Sequence, residues 1–178
     1  MTEHRSQLEW DIYWMKEAEL VATMSKCLSR KIGSVLVKDN YRIASGYNGA
    51  PRGVDNCDKR DDWGNYTDHH CSDICPRQRM NFKSGEGIEH CAAVHAERNS
   101  LLQAARMGIT TAGATLYCWC RLPCPDCMKE IINAGVSRVV CFEFNEYLPT
   151  GMKCADLVKQ SGIKVDYISK DVINGKKD

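Results

Sequence analysis

Apolar residues recur at close to helical spacing through Leu8, Ile12, Met15, Leu20, Met24 and Leu28. This spacing predicts an amphipathic first helix over residues 8 to about 28, broken by Gly33. Two short β-branched or apolar runs follow, at residues 32–37 and 42–47, separated by Lys38-Asp39-Asn40. A hairpin is the simplest reading of that pattern. Periodicity then fades from about residue 49 to residue 91, a stretch that carries Cys57, Cys71, Cys75, Cys91, His69, His70 and His90. A connection this long needs a reason to be ordered. Beyond it, helices are predicted over about 95–107, 125–134 and 152–160, and strands over 114–119, 136–144 and 163–168. Gly108 and Gly135 suit left-handed helix C-termini. Alternating strands and helices make this an α/β protein whose strands share a sheet.

The length, 178 residues, suits a single domain spanning 1–178, with the Cys/His-rich stretch at about 49–91 as an insertion. No apolar run approaches the roughly 20 residues of a membrane span, and residues 1–10 carry no signal-peptide pattern. The expected compartment is therefore the cytoplasm, with no membrane partner. A formal net charge of +1 offers no field for long nucleic acid, so a small substrate is expected. The 11 cysteines change the picture most. In a reducing compartment they favour metal sites and thiols over disulfides. Cys141 and Cys154 read as buried packing residues.

Two short motifs carry the chemistry: His95-Ala96-Glu97 and Pro123-Cys124-Pro125-Asp126-Cys127, each opening a predicted helix. Either alone is common. Together, with a strand between them, they match the zinc-deaminase signature His-x-Glu with Pro-Cys-x-x-Cys. Two thiolates and an imidazole fill three tetrahedral positions around zinc and leave the fourth to water, whose pKa the metal lowers. Glu97 is then the proton carrier rather than a ligand. Cys118 and Cys120 are rival ligands by proximity but read as strand residues beside the site.

These motifs, with Gly46-Tyr47-Asn48-Gly49-Ala50-Pro51 and His95-Ala96-Glu97-Arg98-Asn99, make the chain resemble the deoxycytidylate deaminases of the cytidine deaminase-like superfamily, from about residue 25 to 168. The resemblance implies a three-layer α/β/α sandwich around a five-stranded mixed sheet. It also implies hydrolysis of dCMP to dUMP and ammonia, dUMP being the precursor for dTMP, and a homo-oligomer. It assigns Asn48 to the sugar and Asn99 to the nucleotide end, and offers Arg30, Lys31 and Tyr147 for the phosphate end. It further implies dCTP and dTTP as effectors, with Mg accompanying the nucleotide.

The segment Tyr117-Cys118-Trp119-Cys120-Arg121-Leu122 is one residue longer than the family's usual pattern, which leaves room for a C5-substituted cytosine nucleotide or a plain bulge. Other substrates within the same chemistry are dCTP, a nucleoside or a base. A zinc-stabilised binding module is the non-enzymatic alternative, and Glu97 argues against it. Finally, the long stretch cannot offset about 1–2 kcal/mol per residue of backbone ordering entropy by apolar burial. A second, structural zinc held by Cys27, Cys57, Cys75 and Cys91 is therefore expected, with His90, His69 and Cys71 as substitutes. Some bacterial and phage relatives carry such ligands at similar places. The alternative is scattered thiols.

Overall fold

The computed structural model describes residues 5–63, 65–83, 86–142 and 153–175. Tyr147 lies outside the described residues. Helix α1 (Gln7–Ala22) starts at Ser6, whose side chain accepts the Glu9 N–H while Glu9 returns a bond to the Ser6 N–H. This reciprocal cap fixes where the helix begins. Strands β1 (Gly33–Lys38) and β2 (Tyr41–Tyr47) form the expected hairpin. Asp39 and Asn40 turn it with φ of 52° and 60°, a left-handed pair that matches the twist of the strands.

The Cys/His-rich stretch holds the short helix α2 (Pro76–Arg79) and two 3₁₀ turns, Cys57–Lys59 and Ile88–His90. Then come α3 (Ala96–Arg106), β3 (Thr115–Cys118), α4 (Pro125–Asn133), β4 (Arg138–Cys141), α5 (Cys154–Ser161), β5 (Lys164–Tyr167) and α6 (Lys170–Ile173). Gly108 and Gly135 follow α3 and α4 with φ of 68° and 74°, as expected.

The sheet has five strands in the order β2-β1-β3-β4-β5. It is mixed: β1 runs antiparallel to β2 and β3, whereas β3, β4 and β5 are parallel. Strand alternation divides the core between its two faces. Leu36, Leu116 and Val139 meet Ala104, Met128 and Ile131 of α3 and α4 on one side. Val35, Val37, Tyr117 and Val140 meet Trp14, Met15 and Ala18 of α1 on the other. The result is the three-layer α/β/α sandwich around a five-stranded mixed sheet that the family resemblance implied. Each fully buried side chain such as Met15 or Leu36 contributes roughly 1.5–3 kcal/mol.

The first helix departs from its sequence reading. It ends at Ala22, so Arg30 and Lys31 lie on the connection to β1 and not on the helix. Its buried face is Asp11, Trp14, Met15, Ala18 and Ala22, while Leu20 and Met24 point to solvent at 67% and 63% exposure. Gly33 supplies the reason. A Cβ there would stand 2.2 Å from the Ala18 carbonyl oxygen, so α1 rides on β1 at a distance only small residues permit.

Candidate active site

Three candidate ligands converge where the carboxyl end of β3 meets the starts of α3 and α4. His95 and Cys124 occupy the N-cap positions, with extended backbone and no side-chain cap bond. Their side chains are thereby left for another partner. Pro125 takes the first helical position of α4, where its missing N–H has no intrahelical role. Cys127 follows in the same turn. His95 Nδ1 stands 3.3 Å from Cys127 Sγ and 3.5 Å from Cys124 Sγ. All three donor atoms lie within 4.8 Å of one another. Tetrahedral zinc, with bonds near 2.0–2.1 Å to nitrogen and 2.3 Å to sulfur, requires donor separations of about 3.5–3.8 Å. The donor set therefore fits zinc with one position left open.

The electrostatics suit that use. Cys124 is held down to about 4, first by a hydrogen bond from Cys127 and then by His95, against the opposing effect of burial. Cys127, sharing that proton, is pushed up. The hydrogen bond with Cys124 raises His95 in turn. One thiol is thus poised to be a thiolate, and a metal cation draws the second proton away.

Glu97 lies in the first turn of α3, 4% exposed. Burial raises its carboxyl above the ordinary value, outweighing its own helix-start N–H and the nearby His95, which lower it. A carboxyl moved towards neutrality is suited to taking and returning protons. The Cys120 thiol sits 3.9 Å from Glu97 Oε1 and 3.0 Å from the Arg121 carbonyl oxygen. Neither Cys118 nor Cys120 joins the three-donor group. Cys118 is fully buried in β3.

The surrounding framework locks α3 against the hairpin. Ser34 Oγ donates to the Ala96 carbonyl at 2.8 Å. A Cβ on Gly46 would lie 2.4 Å from Ala96 O and Ser100 N, so only glycine admits the helix this close. Asn99 Nδ2 donates to the Tyr47 carbonyl at 2.7 Å, beside Asn48. Asn48 is buried. Its Oδ1 accepts from Ser25 Oγ (2.7 Å) and Ile32 N–H (2.8 Å), and its Nδ2 donates to the Arg30 carbonyl (2.8 Å). Three of its four hydrogen-bonding positions thus hold the 25–32 connection, leaving one N–H.

Arg30 and Lys31 are exposed on that connection. Cys120, read from the sequence as a strand residue beside the site, lies past the end of β3 (Thr115–Cys118) and meets Glu97. Sequence reasoning missed Arg98, which pairs with Glu130 across α3 and α4; no local signal marks it, because the pair depends on segments far apart in sequence.

Of the cysteines proposed for a second metal, Cys75 is buried and Cys27, Cys57 and Cys91 are half-buried. The Cys57 thiol is pushed up to about 11, first by burial and then by Cys91, Cys75 and Cys27, so these four gather in one region. They are not drawn together as tightly as His95, Cys124 and Cys127, the one such group among the described residues. His69 pairs with Asp68 at 2.9 Å, Cys71 meets Thr67 Oγ1 at 3.0 Å and His90 stacks on Phe82.

A helix-capping His/Cys/Cys set beside a buried carboxyl, at the carboxyl end of a mixed sheet, defines the zinc-deaminase class. The chain belongs to the family described as the cytidine and deoxycytidylate deaminase zinc-binding region, matched over residues 8–143. It is 37% identical over 137 residues to the deoxycytidylate deaminase of Schizosaccharomyces pombe, covering 77% of this chain and 38% of that protein. Against the deoxycytidylate deaminase of Enterobacteria phage T4 it is 34% identical over 174 residues, covering 88% and 89%. The dCMP deaminase of cyanophage S-TIM5, solved in complex with dCMP and dUMP, superposes with a TM-score of 0.66 at 31% identity, covering 93% of this chain and all of that one. The chain spans less than half the length of two yeast relatives it matches, 38% and 45%. Among the described residues no helix is long and apolar enough to cross a membrane.

Proposed function

We propose that the chain hydrolytically deaminates dCMP to dUMP and ammonia, with zinc on His95, Cys124 and Cys127. The observation that carries this reading is the buried Glu97 carboxyl beside a three-donor set with one coordination position open. Zinc there supplies a water of lowered pKa as nucleophile. Glu97 would take one proton from that water and pass it to the ring nitrogen, then take the remaining hydroxyl proton and deliver it to the amino group, which leaves as ammonia. Burial raises its carboxyl, which favours a group that both accepts and donates protons. Asn48 offers its remaining amide N–H to the sugar, and Asn99 holds the wall beside it. The dCMP and dUMP held by the cyanophage neighbour support this choice of substrate.

Cys27, Cys57, Cys75 and Cys91 hold a second, structural zinc in the same proposal, supported by the mutual influence of their thiols at Cys57. That zinc orders the Cys/His-rich insertion of a single-domain protein. Metal-ready thiolates suit a reducing compartment such as the cytoplasm. A homo-oligomer, and control by dCTP and dTTP with Mg on the nucleotide, extend the proposal on family likeness; the exposed apolar Leu102 and Met107 of the α3 end suit an interface.

Ammonia release from dCMP, dCTP, deoxycytidine, cytosine and 5-substituted dCMP tests the reading directly. dCMP should be turned over with the highest kcat/KM. Preference for a 5-substituted nucleotide favours the second reading, in which the lengthened wall at Cys120 makes room at C5; inactivity on all five overturns both.

A further inference from the structure

The backbone on both sides of Asn48 is pinned to the candidate catalytic centre. The Tyr47 carbonyl before it accepts from Asn99 Nδ2 of α3 at 2.7 Å. Gly49 after it exchanges both main-chain bonds with Val94, 3.2 Å from Gly49 N to Val94 O and 2.8 Å from Val94 N to Gly49 O. Val94 directly precedes His95. The Cα of Asn48 therefore keeps its place relative to the candidate donor His95, and rotation of the side chain is the freedom that remains. An amide on a fixed Cα still samples several staggered states unless its neighbours select one.

Ser25 makes that selection. Its Oγ stands 2.7 Å from the Asn48 main-chain oxygen and 2.7 Å from Oδ1 of the same residue. A hydroxyl carries one proton, so the two oxygens share it. One atom thus grips both ends of the Asn48 side-chain torsion. The serine is itself held: it is 2% exposed, donates its N–H to the Ala22 carbonyl at the end of α1 (3.0 Å) and accepts the Cys27 N–H on Oγ (3.2 Å). The Ile32 N–H and the Arg30 carbonyl decide which end of the amide is oxygen, because one donates and the other accepts. Both of those belong to the irregular connection before β1, whereas Ser25 is bonded to the end of a helix.

We infer that Ser25 is a positioning residue for the reaction: it fixes the Asn48 side chain so that the amide N–H left over meets the substrate's sugar already oriented. The inference rests on the deaminase reading above, which supplies the role of Asn48. Ser25 itself does not touch the substrate. A donor aimed in advance spares the complex the entropy of ordering a side chain on binding. The sugar is remote from the ring carbon that reacts, so this contact is the same in the bound substrate and the transition state, and its loss appears in KM and not in kcat.

Zinc-loaded full-length protein carrying Ser25→Ala is assayed on dCMP beside wild type, Asn48→Ala and the double variant, with zinc measured on each sample. KM for dCMP should rise roughly three- to tenfold, the weight of one hydrogen bond, with kcat and zinc content unchanged. In the Asn48→Ala background the same substitution should add nothing, because the group it acts through is gone. Ser25→Cys keeps a weak donor, should give an intermediate KM, and serves if Ser25→Ala does not fold. If Asn48→Ala does not fold, the division between KM and kcat decides alone. Wild-type KM in the Ser25 variants overturns the inference. A loss that falls on kcat or on zinc content, or that adds in full to Asn48→Ala, makes Ser25 a structural residue and overturns it as well. A wild type that releases no ammonia from dCMP overturns the deaminase reading and the inference with it, whereas an active wild type with indifferent Ser25 variants leaves that reading standing.

Discussion

Arg98 and Glu130 form a two-bond ion pair, Nε to Oε2 at 2.9 Å and Nη2 to Oε1 at 2.8 Å, that ties the first turn of α3 to α4. The pair joins the helix start that follows His95 to the helix that opens at Cys124 and carries Cys127. Its side chains are 36% and 47% exposed, so screening limits its own contribution to roughly 0.2–1 kcal/mol. Arg98→Met should therefore shift the melting temperature by only a few degrees. Outer partners of metal ligands typically matter about 10- to 100-fold for affinity. We expect zinc loss to a chelator to accelerate by about tenfold, followed with a chromophoric chelator; an unchanged rate removes the positioning role.

Glu97→Gln should keep its zinc and lose at least about 10²–10⁴-fold in kcat, the usual weight of general acid–base catalysis. Metal analysis and ammonia release on the same sample separate the two effects. In the wild type, Glu97 must be ionised to accept a proton, and burial has raised its carboxyl. Activity should consequently fall on the acid side as pH drops through that raised value, and this limb should vanish from the residual rate of the variant.

Purified protein should contain close to two zinc ions per chain, and Cys57→Ser should lose one of them. Catalysis would persist if the remaining ion sits on His95, Cys124 and Cys127. Proteolysis should then cut first within residues 49–91, because their ordering depends on the metal. One zinc per chain in both proteins would eliminate the second site.

Arg138→Met should cost about 3 kcal/mol or more, since it strands a buried carboxylate. Arg138 donates Nη1 and Nη2 to Asp11 at 2.8 and 2.7 Å and Nε to Asp166 at 2.5 Å, with its side chain 14% exposed. Burial alone would raise the Asp11 carboxyl; bonds from Arg138, Gln7 and Tyr117 outweigh it and hold the group low. A depressed carboxyl contributes stability that is complete above its unfolded value, near pH 4, and is lost as pH falls through the folded one. Urea unfolding at pH 7 and pH 3 should accordingly show the gap between wild type and variant narrowing in acid.

What could be read from the sequence was set by short-range chemistry. The hairpin at Asp39-Asn40, the glycines ending α3 and α4, and the motifs around His95 and Cys124 each depend on residues within about one turn of one another. Backbone sterics and helix-start geometry act at that range, so the order of the strands and main helices and the candidate donor group His95, Cys124 and Cys127 were legible. The face of α1 was not. Its large apolar residues suggested one stripe, but Gly33 of β1 draws Ala18 and Ala22 inward and leaves Leu20 and Met24 in solvent.

Likewise Asn48 reads locally as a turn residue, and only the fold turns its amide into the joint between Ser25, Arg30 and Ile32. The neighbours Cys120 and Glu97 and the ion pair Arg98–Glu130 meet through sheet pairing and helix docking. Close packing between distant segments decides which side chains share a site. That information resides in the fit of surfaces, and no spacing along the chain encodes it.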